Sequence, residues 1–294
     1  MLDWQHELLV HEIPIRLAAF TAVLTLMALW ETLAPRRHWH HPRPLRWLNN
    51  LGLALLNNLL ARALFPMAAV GVAAFTERHG WGMLALTSLP AWGRVILSVV
   101  ALDLVIYLQH VMFHALPTLW RLHRVHHADV DFDVTTGIRF HPLEILLSLG
   151  IKAAAVLLLG APVAAVIVFE VLLNATAMFN HGNVRLPRKL DRILRWWVVT
   201  PDMHRVHHSV ADDEANCNFG FNLPWWDRLL GTYRDQPRRG HEVMTLGIHG
   251  IRRRRHILWL PGMLLLPFNA PVGGYVINRR AGNPSGRRKL KADI

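Results

Sequence analysis

Cysteine is almost missing: Cys217 is the only one in 294 residues. A lone thiol excludes an internal disulfide and any cysteine-built zinc or iron–sulfur site. Acidic residues are also scarce, 20 against 32 Lys and Arg, for a net charge of +12. Such an excess is common in nucleic-acid binders, but neither a basic helix nor an aromatic RNA-binding strand accompanies it. The arginines instead cluster beside apolar runs, at 34–47, 250–260 and in the C-terminal tail. Such placement suits cytoplasmic loops and anionic lipid headgroups, so the expected surroundings are membrane and lipid, with no nucleic-acid partner. A cleavable signal peptide is not apparent either. Asp3, Glu7 and Glu12 precede an apolar run long enough to be expected to stay as an anchor.

What is present is apolar surface and histidine. Hydrophobic residues make up 52% and mean hydropathy is +0.23, above the roughly 45–50% of soluble domains. Long runs occupy 13–33, 48–75, 92–116 and 143–179. The last exceeds one crossing of about 20 residues, and Gly160-Ala161-Pro162 in its middle reads as a hairpin turn. Loop charge gives orientation. Arg36, Arg37, Arg43 and Arg46 crowd the first loop, whereas 76–91 holds only Arg78, offset by Glu77. The expectation is an all-α membrane protein of four to five transmembrane helices, two as a hairpin, with a cytoplasmic helical cap on a bacterial inner membrane. Residues 1–90 would form N-terminal transmembrane helices, 91–235 a His-rich catalytic domain with cap, and 236–294 a basic cap and tail. The short, proline-broken run 257–268 is expected on the cap or in the interface.

Ten of the 19 histidines fall between 110 and 208. His110 and His114 share a helix face at i, i+4; His123, His126 and His127 stand at i, i+3, i+4; His204, His207 and His208 repeat that spacing within a second H-R-V-H-H. His181 follows the last span. A single histidine is commonly a hydrogen-bonded core or surface residue, but three clusters at ligand spacing beside one membrane face point to metal. Nine imidazoles, at four or five per ion, make two metals. No H-E-x-x-H occurs, which argues against a zinc protease. Bis-His haem would use two or four of these residues and leave the tight triplets unexplained. Imidazole-rich, cysteine-free ligation beside a membrane suggests iron working on oxygen.

With these residues in hand, a family resemblance follows. "DLVIYLQHVMFH" (103–114), "HRVHHADVDFDVTTGIRFHPLE" (123–144), "FNHGNVRLP" (179–187) and "MHRVHHSVADDEANCNFGFNLPWWDRLLGTY" (203–233) resemble, in order, the blocks of the fatty acid hydroxylase and sterol desaturase superfamily. The resemblance implies two iron ions, dioxygen as co-substrate and hydroxylation or desaturation of a fatty acyl, sterol-like or ether lipid. It places His110, His114, His123, His126, His127, His181, His204, His207 and His208 as metal ligands. Fatty acid 2-hydroxylases of the superfamily carry a further His four residues before the position of His181, where this chain has Ala177. No His-Pro-Gly-Gly haem motif is present, so electrons are expected from a separate ferredoxin, cytochrome or reductase. Metal-bound imidazoles generally donate their other N–H outward, and Asp103, Tyr107, His141, Glu144 and Glu214 are the candidates to support them. The competing class is a non-catalytic metal-binding or transport membrane protein.

Overall fold

A computed structural model describes residues 7, 8 and 10–269; the basic tail 270–294 and Asp3 lie outside them. Among the described residues, thirteen α-helices follow one another: α1 Glu12–Leu33, α2 Arg43–Leu64, α3 Ala68–His79, α4 Ala91–Ala115, α5 Pro117–His127, α6 Pro142–Leu159, α7 Val163–Asn180, α8 Arg188–Leu194, α9 Pro201–His207, α10 Asp212–Ala215, α11 Trp225–Leu229, α12 Arg254–Ile257 and α13 Leu260–Asn269. Among the described residues there is no strand, only two isolated bridges. Among these same residues, five stretches are long and apolar enough to cross a membrane: Glu12–Leu33, Arg43–Leu86, Ala91–Ala115, Pro142–Leu159 and Val163–Asn180.

The second stretch departs from the expected single span over 48–75. It breaks after Leu64, where Phe65 leaves helical geometry at φ −131° and ψ 66°. Pro66 is the cause, because proline excludes its predecessor from the α region and offers no N–H to the helix. Both pieces still pack against α6. The expected turn between α6 and α7 is present, with Gly160 left-handed at φ 66° and ψ 42°. A Cβ on Gly160 would lie 2.3 Å from the carbonyl oxygen of Trp81, so the far-end loops can cross only with glycine there.

Helix α7 is central. It packs against α1, α3 and α4, and its run Val163–Ile167 is buried throughout. Lys152 of α6 has no evident partner in the sequence. In the fold it pairs with Glu170 of α7, which also pairs with Arg16 of α1.

At the opposite end, the C-termini of α1, α4 and α7 meet the N-termini of α2 and α6. Buried Arg46 reaches from α2 to Asp129 at 2.7 Å and to Asp133. Burial alone would raise the Asp129 carboxyl, but Arg46 and Arg139 together outweigh it and hold it below the usual range. Glu31 accepts from the backbone N–H of Val134 at 2.7 Å and of Asn183 at 2.8 Å. These contacts fix loop 128–139 beneath α5. Helix α13, carrying the run expected on the cap, packs against α2 and α5. The carbonyl of Leu266 on α13 accepts from Arg124 at 2.7 Å.

Candidate metal centre

Four helices deliver the nine histidines. α4 runs 25 residues, long enough for His110 and His114 to emerge at its C-terminal end. α5 opens with Pro117 and α9 with Pro201, both pre-set for a first helical turn, and Thr200 caps α9 by accepting from Met203 N–H. His181 is the C-cap of α7. Nine imidazoles converge, none more than 3% exposed.

They form two adjoining groups. One holds His110, His114, His123, His127 and His207; the other His126, His181, His204 and His208, with one ligand atom per residue within 4.8 Å of the rest of its group. In the first, Nε2 atoms lie 3.1 Å apart for His110–His123 and His114–His127, and 3.0 Å for His207–His110. In the second, His181 Nε2 stands 3.1 Å from those of His126 and His204 and 3.2 Å from that of His208. The two H-R-V-H-H segments meet face to face: the His127 and His208 rings stack at 4.4 Å. They also exchange ligands. Each segment places its i, i+4 pair in one group and its remaining histidine in the other.

Tautomers show what the groups are built for. His110 Nδ1 donates to the Phe219 carbonyl, His207 Nδ1 to that of Cys217 and His181 Nδ1 to that of Ala177, each at 2.7 Å. His123 Nδ1 lies 2.6 Å from Glu144 Oε1. A neutral imidazole with its proton on Nδ1 presents a bare lone pair at Nε2. His110 and His207 thus aim two bare nitrogens at each other, 3.0 Å apart, with no proton to share. A proton is a poor remedy, because burial pushes His123 and His181 down to about 3 and His207 well below its ordinary value. A cation between the nitrogens removes the conflict, and imidazole lone pairs of this kind suit Fe, Zn, Cu and Ni. The Cys217 thiol, pushed up to about 12 by burial, donates to the Glu214 carbonyl at 2.8 Å and belongs to neither group.

Of the expected supporting residues, Glu144 touches a ring. The others act elsewhere. Asp103 accepts from the backbone N–H of Asn222 at 3.3 Å and Leu223 at 3.2 Å, and from Trp226 Nε1 at 2.8 Å. The Tyr107 hydroxyl meets Thr232 Oγ1 at 2.8 Å, His141 caps α6 and contacts the Leu264 carbonyl, and Glu214 accepts from Arg238 N–H. Asp227, which the sequence offers as a packing residue or a pin between cap and site, acts on the same loop. It accepts from Phe219 N–H at 2.8 Å and Gly220 N–H at 2.9 Å. Asp103 and Asp227 together grip the loop whose Phe219 carbonyl orients His110. The signal in the sequence is an acid close to aromatic and glycine residues, in "NFGFNLPWWD" (218–227).

All nine rings gather at one end of the helices, whereas transporters place ligands near the midplane on broken helices; the non-catalytic alternative is not favoured. A family model described as fatty acid hydroxylase matches residues 95–232. The chain is 30% identical to the ornithine lipid hydroxylase of Rhizobium tropici over 74% of its own length and 67% of that protein. It is 26% identical to cholesterol 25-hydroxylase of Rattus norvegicus, covering 73% and 71% of the two chains. Against alkylglycerol monooxygenase of Xenopus tropicalis the identity is 26%, covering 63% and 41%. No solved structure matches.

Proposed function

Because the chain belongs to the fatty acid hydroxylase family, an integral-membrane oxygenase family acting on lipids, we propose that its nine imidazoles hold two iron ions. In this reading the enzyme hydroxylates a membrane lipid with dioxygen. The observation that carries it is the pair of all-histidine groups, five and four, in which the fixed tautomers of His110, His207 and His181 leave bare Nε2 atoms facing inward. Bound iron would supply activation of dioxygen for insertion into a C–H bond.

The chain's own residues do the rest. The Phe219, Cys217 and Ala177 carbonyls and Glu144 hold the Nδ1 protons outward, fixing ring orientation and raising ligand basicity. Burial of all nine rings keeps bulk water from the chamber, which strengthens electrostatic interactions inside it. The named relatives favour hydroxylation over desaturation, since each name denotes oxygen insertion into a lipid. An acylated polar lipid is the proposed substrate class, on the likeness that covers most of both chains. Electrons are proposed to come from a separate ferredoxin, cytochrome or reductase, and the chamber to face the cytoplasm of a bacterial inner membrane.

The test is metal analysis of protein purified without oxygen, alongside lipid profiles of cells with and without the gene. Two irons per chain and lipids heavier by one oxygen atom are expected. His207→Ala and His208→Ala, one from each group, should each lose iron and activity. Zinc at one per chain, or full activity in His207→Ala, would sink the proposal.

A further inference from the structure

On the outer side of α9, a cavity of about 730 Å³ opens between α8, loop 234–243 and the first basic loop. Asp202 lines it, whereas His204, two residues on, points into the histidine chamber. Two residues turn a helix about 200°, so α9 separates cavity from chamber. Seven arginines line the cavity against three aspartates and one glutamate.

Those acids are already engaged. Asp202 and Glu242 pair with Arg36, and Asp191 and Asp235 pair with Arg195. Arg188, Arg192 and Arg239 form no ion pair among the described residues. Arg195 is 3% exposed, and its Nη2 has no hydrogen-bond partner. The Arg228 guanidinium carbon sits over the rings of Trp196 and Tyr233, 4.1 and 4.0 Å from their centres. The cavity therefore has unmatched positive charge, a buried guanidinium edge without an acceptor, and a size suited to a small ligand.

Its rim fixes the depth. Trp225 Nε1 donates to the Trp196 carbonyl at 2.7 Å, while Trp226 is tied to Asp103 of α4. Asp103 is seven residues, about 10 Å, down α4 from His110. Beside this anchor, Ile193, Trp196, Trp197, Leu229 and Leu230 are all more than half exposed. Exposed tryptophans and leucines below the level of the chamber belong in the headgroup region of a bilayer.

We propose that this cavity binds the phosphate of an anionic phospholipid headgroup, seating the cap on the membrane at a site separate from the lipid-oxidising chamber. The inference does not depend on the metal or on the reaction. Arg195 and Arg228 would supply planar donors to the phosphate oxygens, and Arg188, Arg192 and Arg239 the surrounding field.

The test is native mass spectrometry of the full-length detergent-purified protein with phosphatidylglycerol, phosphatidylcholine or glycerol phosphate. Phosphatidylglycerol should be retained in preference to the zwitterionic lipid. Loss of each surface arginine should weaken retention about fivefold, so Arg188→Gln with Arg192→Gln should cost about 25-fold, and Arg239→Gln, from a separate loop, about fivefold. Arg78→Gln, at the far end of the molecule, should change nothing. Equal retention of both lipids, or unchanged retention in the Arg188/Arg192 and Arg239 variants, would overturn the proposal. So would glycerol phosphate binding as tightly as the lipid, which would make the cavity a site for soluble phosphate.

Discussion

Among the described residues, Glu144 is the one carboxylate that reaches a chamber imidazole directly, 2.6 Å from His123 Nδ1. Its role can be separated from simple packing by a graded substitution. Glu144→Gln keeps an acceptor for the Nδ1 proton and should retain most metal affinity. Glu144→Ala removes it and should lower iron affinity or turnover by about 10–100-fold, the usual cost of losing a ligand's outer hydrogen bond. Iron content and turnover of the two variants check this, and equal values would show that the contact does not orient the ring. The nine converging histidines were legible in the sequence because helical spacing is local and histidine is distinctive. Three of their supports were not, because they are backbone carbonyls of Ala177, Cys217 and Phe219, and every residue has a carbonyl. Asp103, Tyr107, His141 and Glu214 lay near the histidines in sequence, yet side chains on the same segment can point away from one another.

Among the elements, glycine and proline decide where helices stop. Pro66 splits the second span and Gly160 turns the hairpin, and both were readable as residue types, although only the turn was expected from them. Pairings across long separations were harder. Arg46 and Asp129 are 83 positions apart, and a buried guanidinium cannot be told from an exposed one until the loop is folded over it. The hairpin gives a sharp comparison. Gly160→Ala places a Cβ 2.3 Å from the Trp81 carbonyl on left-handed backbone, and should destabilise the protein by about 1–3 kcal/mol. Gly150→Ala, on α6 with nothing within 4 Å of a Cβ, should be neutral or stabilise by up to about 1 kcal/mol. Thermal unfolding in detergent measures both, and equal behaviour would contradict the close backbone crossing.

For the whole molecule, the buried imidazoles make stability depend on pH. Burial holds His123 and His181 at about 3 in the folded chain, against about 6.5 when unfolded. Between those values the unfolded chain binds more protons, so stability falls as pH drops, by about 1.4 kcal/mol per unit for each such ring. Above about 6.5 these rings contribute no slope. Metal-stripped protein should therefore lose stability steeply from pH 6 to 5; a flat response down to 5 would refute neutral burial. The broad architecture, five apolar stretches with a histidine-rich cap at one end, followed from hydropathy and charge because both are summed over many residues.

The crossed ligand exchange between α5 and α9 has a consequence for assembly. Each segment serves both histidine groups, so ordering one group already fixes the backbone of the other. On the two-iron reading, the first ion to bind pays most of the conformational entropy for the second. Loading should then be cooperative, with chains holding no ion or two and few holding one. Mass spectra recorded during substoichiometric addition of ferrous iron would show this as a missing intermediate peak, and a dominant singly loaded species would show that the two groups fill independently.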